Sequence, residues 1–190
     1  MKPEVLAANI RVLLHDILYL LIEYPRDIKV TYKLQVGRIE FEVMPNINDQ
    51  GRVVGRDGAH IKALQCILAR IGHKFDQQIV VELKEDQNGR RIFEPVRAPN
   101  GLTVGCTDAG RVLGDIAAAV SEEEARIRID RTLENGKVIF TLGIYPASKA
   151  DYDNLMAPGP DGMSVYEAAG VLYKAVGKRN GIEIKVDIWP

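Results

Sequence analysis

The sequence predicts an α+β chain of two tandem αββααβ units, each a three-stranded sheet backed by helices. Three observations carry that prediction. Segments of helical apolar spacing give way to segments of strict alternation. The second half repeats the first at a nearly constant offset. A Gly-x-Asp-Gly turn occupies the same slot in both halves.

From Val5 to Tyr24 the apolar stripe Leu6, Ile10, Leu13, Leu14, Ile17, Leu18, Leu21 and Ile22 predicts a helix that Pro25 ends. Ile28, Val30, Tyr32 and Leu34 then alternate with polar residues, as do Ile39, Phe41 and Val43 beyond a turn at Val36-Gly37. That is the pattern of a hairpin with one apolar face. A brief helical turn over Asp49 to Val54 leads into the glycine turn. A helix carrying Ile61, Leu64, Leu68 and Ile71 on one side follows, and Ile79 to Leu83 supplies the third strand.

The repeat is legible residue by residue. Ile28 matches Ile127, Leu34 matches Leu133, Gly37 matches Gly136 and Phe41 matches Phe140, an offset of 99. Past an insertion of five residues near Tyr145 to Pro158 the offset is 104, so Gly55-Arg56-Asp57-Gly58 meets Gly159-Pro160-Asp161-Gly162. The organisation expected is a first domain over 1–84, a linker over 85–107 rich in charged residues, Pro and Asn-Gly, and a second domain over 108–190. The leading helix of the second domain is expected over Asp108 to Glu124.

Hydrophobic residues make up 46% of the chain, enough for a core in each unit, so bulk disorder is excluded. The formal net charge of -1 removes any long-range attraction for polyanions, and nucleic-acid binding must come from a local patch. Cys66 and Cys106 lie far apart with no histidine at ligand spacing, so neither a disulfide framework nor a metal site is expected. Cys66, between Leu64 and Leu68, reads as a small buried hydrophobe. No apolar run approaches the ~20 residues that span a bilayer, and a cytoplasmic protein without membrane contact is expected. Nucleophile elbows, Walker loops, zinc-protease motifs and dinucleotide fingerprints are lacking, so no catalytic residues and no cofactor are assigned.

What the first turn offers is phosphate chemistry. Gly55 and Gly58 lack Cβ atoms and allow a sugar-phosphate backbone to approach the main chain, while the amides entering the next helix carry a favourable dipole. Arg56 at the tip, Arg52 a helical turn earlier and Lys62 just beyond are the cations that neutralise phosphates. Asp57 opposes them, although it is placed to cap the helix that begins at Ala59.

The segment from Gly51 to Leu64, with the apolar pair Val53-Val54 before G-x-x-G and Ile61 and Leu64 after it, resembles the signature of KH domains. The helix-first order is similar to the type II arrangement of small bacterial KH proteins, and the resemblance covers Val5 to Leu83. It implies that Gly55, Arg56, Asp57 and Gly58 hold the backbone of about four nucleotides, with Arg52, Val54, Ala59, His60, Ile61 and Lys62 around the groove in which unstacked bases lie. The second unit reads as a degenerate copy. Its tip, Pro160-Asp161, has no cation, and Gly-Pro-Asp-Gly suits a type I turn.

The resulting expectation is a non-catalytic binder of single-stranded RNA through the first unit. Single-stranded DNA is the alternative ligand, and a structural subunit using the fold for protein contacts is the alternative role. The second unit is left to pack on the first, self-associate or hold a protein partner. Trp189, Tyr145, Tyr152, Tyr166 and Tyr173 are so scattered that core or interdomain packing is expected of them rather than base stacking.

Overall fold

The computed structural model describes residues 1–84, 102–159 and 162–189, with the backbone alone over 102–107. The chain divides into two compact units, Met1–Arg97 and Ala98–Pro190. Among the described residues no helix is long and apolar enough to cross a membrane.

In the first unit, helix α1 (Pro3–Leu21) starts on Pro3, whose fixed φ suits a first helical position. It buries Leu6, Ile10, Leu14, Ile17 and Leu18. The helix stops short of Pro25, which instead opens a 3-10 turn over Pro25–Asp27. The exit is fixed by a side chain 26 residues away. The buried Asp49 carboxylate accepts from Glu23 N at 3.0 Å and from Tyr24 N at 2.8 Å, taking two amides that follow the helix.

Strands β1 (Lys29–Gln35) and β2 (Arg38–Met44) form the expected antiparallel hairpin, and β3 (Gln78–Leu83) adds in parallel to β2, giving the order β1-β2-β3. Ile39, Phe41, Val43, Ile79 and Val81 are buried on one face of this sheet. Between the strands run α2 (Gln50–Val54) and α3 (Ala59–Lys74), the latter burying Leu64, Cys66, Ile67, Leu68 and Ile71. The turn from α3 to β3 is tight, because Gly72 O accepts from Gln77 N at 2.9 Å and a methyl on Gly72 would collide with the Gln77 carbonyl.

The second unit follows the same plan: α4 (Leu102–Val120), β4 (Arg126–Glu134), β5 (Lys137–Tyr145), α5 (Lys149–Met156), α6 (Val165–Arg179) and β6 (Glu183–Ile188). Its sheet order is β4-β5-β6, with an antiparallel and then a parallel pair. The hairpins share their register: Val30 pairs with Val43, and Ile129 pairs with Leu142. The buried aspartate recurs as well. Asp151 accepts from Glu122 N at 2.7 Å, as Asp49 does from Glu23 N. Gly177 O accepts from Ile182 N at 3.0 Å, reproducing the Gly72 turn.

The boundary expected at residue 108 moves. Residues 102–107 belong to α4, which ends at Val120 and leaves Glu122, Glu123 and Glu124 exposed beyond it; residues 85–101 of the expected linker lie outside the described residues. Gly105 obscures the first turn of the helix, since glycine lowers helix propensity by about 1 kcal/mol, and Gly110 and Gly114 fall inside the stretch expected to be helical. Packing explains the latter two. A Cβ on Gly110 would lie 2.6 Å from Ile129 Cδ1, and one on Gly114 would lie 3.3 Å from Ile127 Cγ1, so these glycines let α4 lie close on β4.

Candidate nucleic-acid interface

The loop predicted from the sequence joins α2 to α3, and its backbone is built from left-handed conformations. Gly55 has φ 75° and ψ 171°, Asp57 has φ 54° and ψ 26°, and Gly58 has φ 76° and ψ 16°. Gly55 N donates to Gly51 O at 2.9 Å, ending α2, and Gly58 N donates to Gly55 O at 3.3 Å, closing the turn. Val53, wholly buried, anchors α2 beneath it.

The two glycines are required for different reasons. A Cβ on Gly55 would lie 2.6 Å from His60 Cγ and 2.8 Å from His60 N, so no side chain fits there. On Gly58 the nearest atoms would be Lys62 Cε at 3.7 Å and Ile61 Cγ2 at 3.8 Å. A Cβ would therefore fit beside Gly58 at ordinary contact distance, and only its positive φ selects glycine. A group approaching the loop backbone meets no side chain of residue 58.

Gly58 is also the N-cap of α3, and no side chain caps that helix. Asp57 does not supply the cap expected of it; its left-handed backbone is one an aspartate tolerates. The start of α3 thus keeps its partial positive charge unanswered by a protein carboxylate.

The cations differ sharply. Arg56 is exposed and makes no ion pair among the described residues. Lys62, also exposed, donates through Nζ to Asp57 O at 3.3 Å and so lies over the turn. Arg52 is engaged within the unit: it donates to Glu23 Oε1 at 2.5 Å, to Asp49 Oδ1 at 3.2 Å and to Asn48 O at 3.3 Å. Its charge answers the buried Asp49, an arrangement for which sequence reading offered only the Asp49-x-x-Arg52 spacing. His60 Nδ1 lies 2.6 Å from Arg52 O, tying α3 back to α2. Val54, Ala59 and Ile61 are half-buried around the turn.

The corresponding junction of the second unit is made differently. Gly162, with φ 82°, donates to Gly159 O at 3.0 Å, consistent with a turn whose tip, residues 160–161, lies outside the described residues. Beyond it, Ser164 caps α6 in a capping box: Glu167 N donates to Ser164 Oγ at 3.2 Å, and Ser164 N donates to the Glu167 carboxylate at 2.8 Å. The amide of Ser164 holds that carboxyl below its usual range. A protein carboxylate thus occupies the helix start that is bare in the first unit.

Comparison with known proteins places the first unit. The family described as KhpA/KhpB, KH domain, matches residues 11–83. RNA-binding protein KhpA of Lactiplantibacillus plantarum is 29% identical over 80 residues, covering 42% of this chain and 94% of that protein. RNA-binding protein KhpA of Listeria monocytogenes serovar 1/2a is 28% identical over 65 residues, covering 34% of this chain and 86% of its own length. Those alignments cover less than half of this chain. With the αββααβ order, the G-x-x-G turn and the family match all falling on the same residues, the first unit is a KH domain, similar to that of the KhpA/KhpB family.

Proposed function

We propose that the chain binds single-stranded RNA without catalysis, through the Gly55–Gly58 turn and the start of α3. The observation that carries this reading is the pairing of an uncapped helix start with a Cβ-free backbone at Gly58, flanked by the exposed cations Arg56 and Lys62. A phosphate beside Gly58 gains the α3 dipole and the Arg56 guanidinium, and a neighbouring phosphate falls within reach of Lys62. Val54 and Ile61 offer the apolar wall for an unstacked base. Similarity to proteins named for RNA binding supports RNA over other anions.

Arg52 serves this site by position, holding α2 through Glu23 and Asp49, rather than as a phosphate ligand. The second unit does not clamp phosphate at its turn, because the Glu167 carboxylate already caps α6. Its role in this reading is accessory, in packing, self-association or holding a protein partner.

Fluorescence anisotropy of a labelled 10-nucleotide single-stranded RNA tests the proposal. The intact chain binds, and Arg56→Asp weakens binding by roughly tenfold or more, since one phosphate contact is replaced by repulsion. Competition with matched DNA separates the two nucleic acids. An intact chain that ignores both would turn the reading to the fold as a protein-contact module.

A further inference from the structure

The open faces of the two sheets carry different chemistry. On the first, ion pairs answer one another: Lys33 with Glu42 at 2.7 Å, Arg38 with Glu40 at 2.8 Å and Lys84 with Glu82 at 2.7 Å. On the second, two aromatic rings lie side by side. Tyr145 and Trp189 are nearly parallel, 13° apart with ring centroids at 6.4 Å, and Trp189 is 50% exposed. Of the aromatics expected to serve core or interdomain packing, Tyr173 lies in the core and donates to Ala109 O at 2.8 Å, whereas Trp189 and the half-buried Tyr145 lie on the open face of their own sheet.

The pair is built into the sheet. Trp189 N donates to Ile144 O at 2.9 Å, extending the β5–β6 ladder, and a Cβ on Gly143 would lie 3.2 Å from Tyr145 Cε2 and 3.3 Å from Trp189 Nε1. Glycine at 143 therefore lets both rings lie against the strand. Across the β4–β5 pairing, Arg126 stands opposite Tyr145 and Arg128 opposite Gly143. Both arginines, Tyr145 and Glu124 line an open groove of about 640 Å³, and Trp189, stacked on Tyr145, is not part of that lining. Arg128 is paired with Asp130 at 2.9 Å, while Arg126 has no ion pair among the described residues.

We propose that this groove is a second contact for single-stranded RNA, in which a base stacks on Tyr145, the ring that Trp189 supports from outside the groove, while Arg126 and Arg128 hold the adjoining phosphates. Exposed aromatic faces beside guanidinium groups are the means by which proteins hold unpaired bases without reading their edges. This rests on the reading that the chain binds such RNA, and it gives the second unit a share in it through the sheet rather than the turn.

Trp189 is the sole tryptophan and stacks on Tyr145, so its emission reports on the ring that lines the groove. A 12-nucleotide single-stranded RNA is titrated into the full chain, with anisotropy of the labelled strand read on the same samples. The expected result is quenching of Trp189 that the double variant Arg126→Glu/Arg128→Glu loses, with affinity falling roughly fivefold or more. Glu124→Gln should shift the quenching curve to lower RNA concentration, a gain that misfolding does not produce. Unchanged emission, or equal quenching in the double variant, overturns the proposal. If anisotropy still shows binding sensitive to Gly58→Asp, this inference alone fails; if no variant binds RNA at all, the proposed function fails with it.

Discussion

Gly55 and His60 are locked together: a methyl on Gly55 would lie 2.6 Å from His60 Cγ, while His60 Nδ1 sits 2.6 Å from Arg52 O. The contact joins the end of α2 to the first turn of α3 and sets the shape of the loop between them. It also separates the duties of the two loop glycines. Gly55→Ala is expected to lower stability by about 2–3 kcal/mol, combining a backbone region open essentially to glycine with a steric clash. Gly58→Ala meets only the left-handed penalty of about 1–2 kcal/mol, yet it places a methyl where the phosphate is proposed to approach. Urea unfolding and RNA binding measured on both variants should rank them in opposite orders.

The buried aspartates make a matched pair. Asp49→Ala leaves the Glu23 and Tyr24 amides and one face of Arg52 without their acceptor, and a loss of about 3 kcal/mol is expected. Asp151→Ala removes the acceptor for Glu122 N and Ser148 Oγ and should cost the second unit a similar amount. Calorimetric scans of the two variants check this, with each unit's transition moved only by its own substitution.

The capping box of α6 predicts a pH effect of known sign. The Glu167 carboxyl is held below its ordinary range by the Ser164 amide and then its hydroxyl, so its contribution is present above the unfolded pKa and is lost as pH falls through the folded value. Stability measured from neutral pH into the acid range should therefore fall less steeply in Glu167→Gln than in the unaltered chain. Ser164→Ala removes the cap itself and should cost about 1 kcal/mol at neutral pH.

Salt dependence distinguishes the two arginines beside the loop. Single-stranded binding loses about 0.7 in logarithmic slope per phosphate contact, so a site with two or three contacts gives a slope of roughly -1.5 to -2. Arg56→Ala should reduce that slope by about 0.7. Arg52→Ala should leave it nearly unchanged and lower stability instead, because its partners are Glu23 and Asp49.

Much of this molecule is legible in its sequence because its signals are periodic. The α1 stripe, the two hairpins and the G-x-x-G turn each follow from spacing alone, and the register shared by Val30–Val43 and Ile129–Leu142 follows from the repeat. What escaped depends on contacts distant along the chain. The first turn of α4, before Asp108, carries Gly105 and no apolar period that marks it as helix, and the reason for Gly110 and Gly114 later in the helix is Ile129 and Ile127 across the unit. Asp49 ends α1 from 26 residues away and claims Arg52, which spacing alone presents as a phosphate ligand. The Ser164-x-x-Glu167 box is readable by rule from its spacing. Tyr145 and Trp189 look scattered in one dimension and meet only when β6 is placed beside β5.

The most direct test of the central claim is an amide-resolved NMR titration of the intact chain with short single-stranded RNA. The account predicts that the amides of Gly55, Arg56, Asp57, Gly58 and the first turn of α3 shift at the lowest RNA concentrations, while Gly159 and Gly162 at the second turn stay in place. Shifts confined to other residues, with the Gly55–Gly58 amides unmoved at saturating RNA, would contradict it.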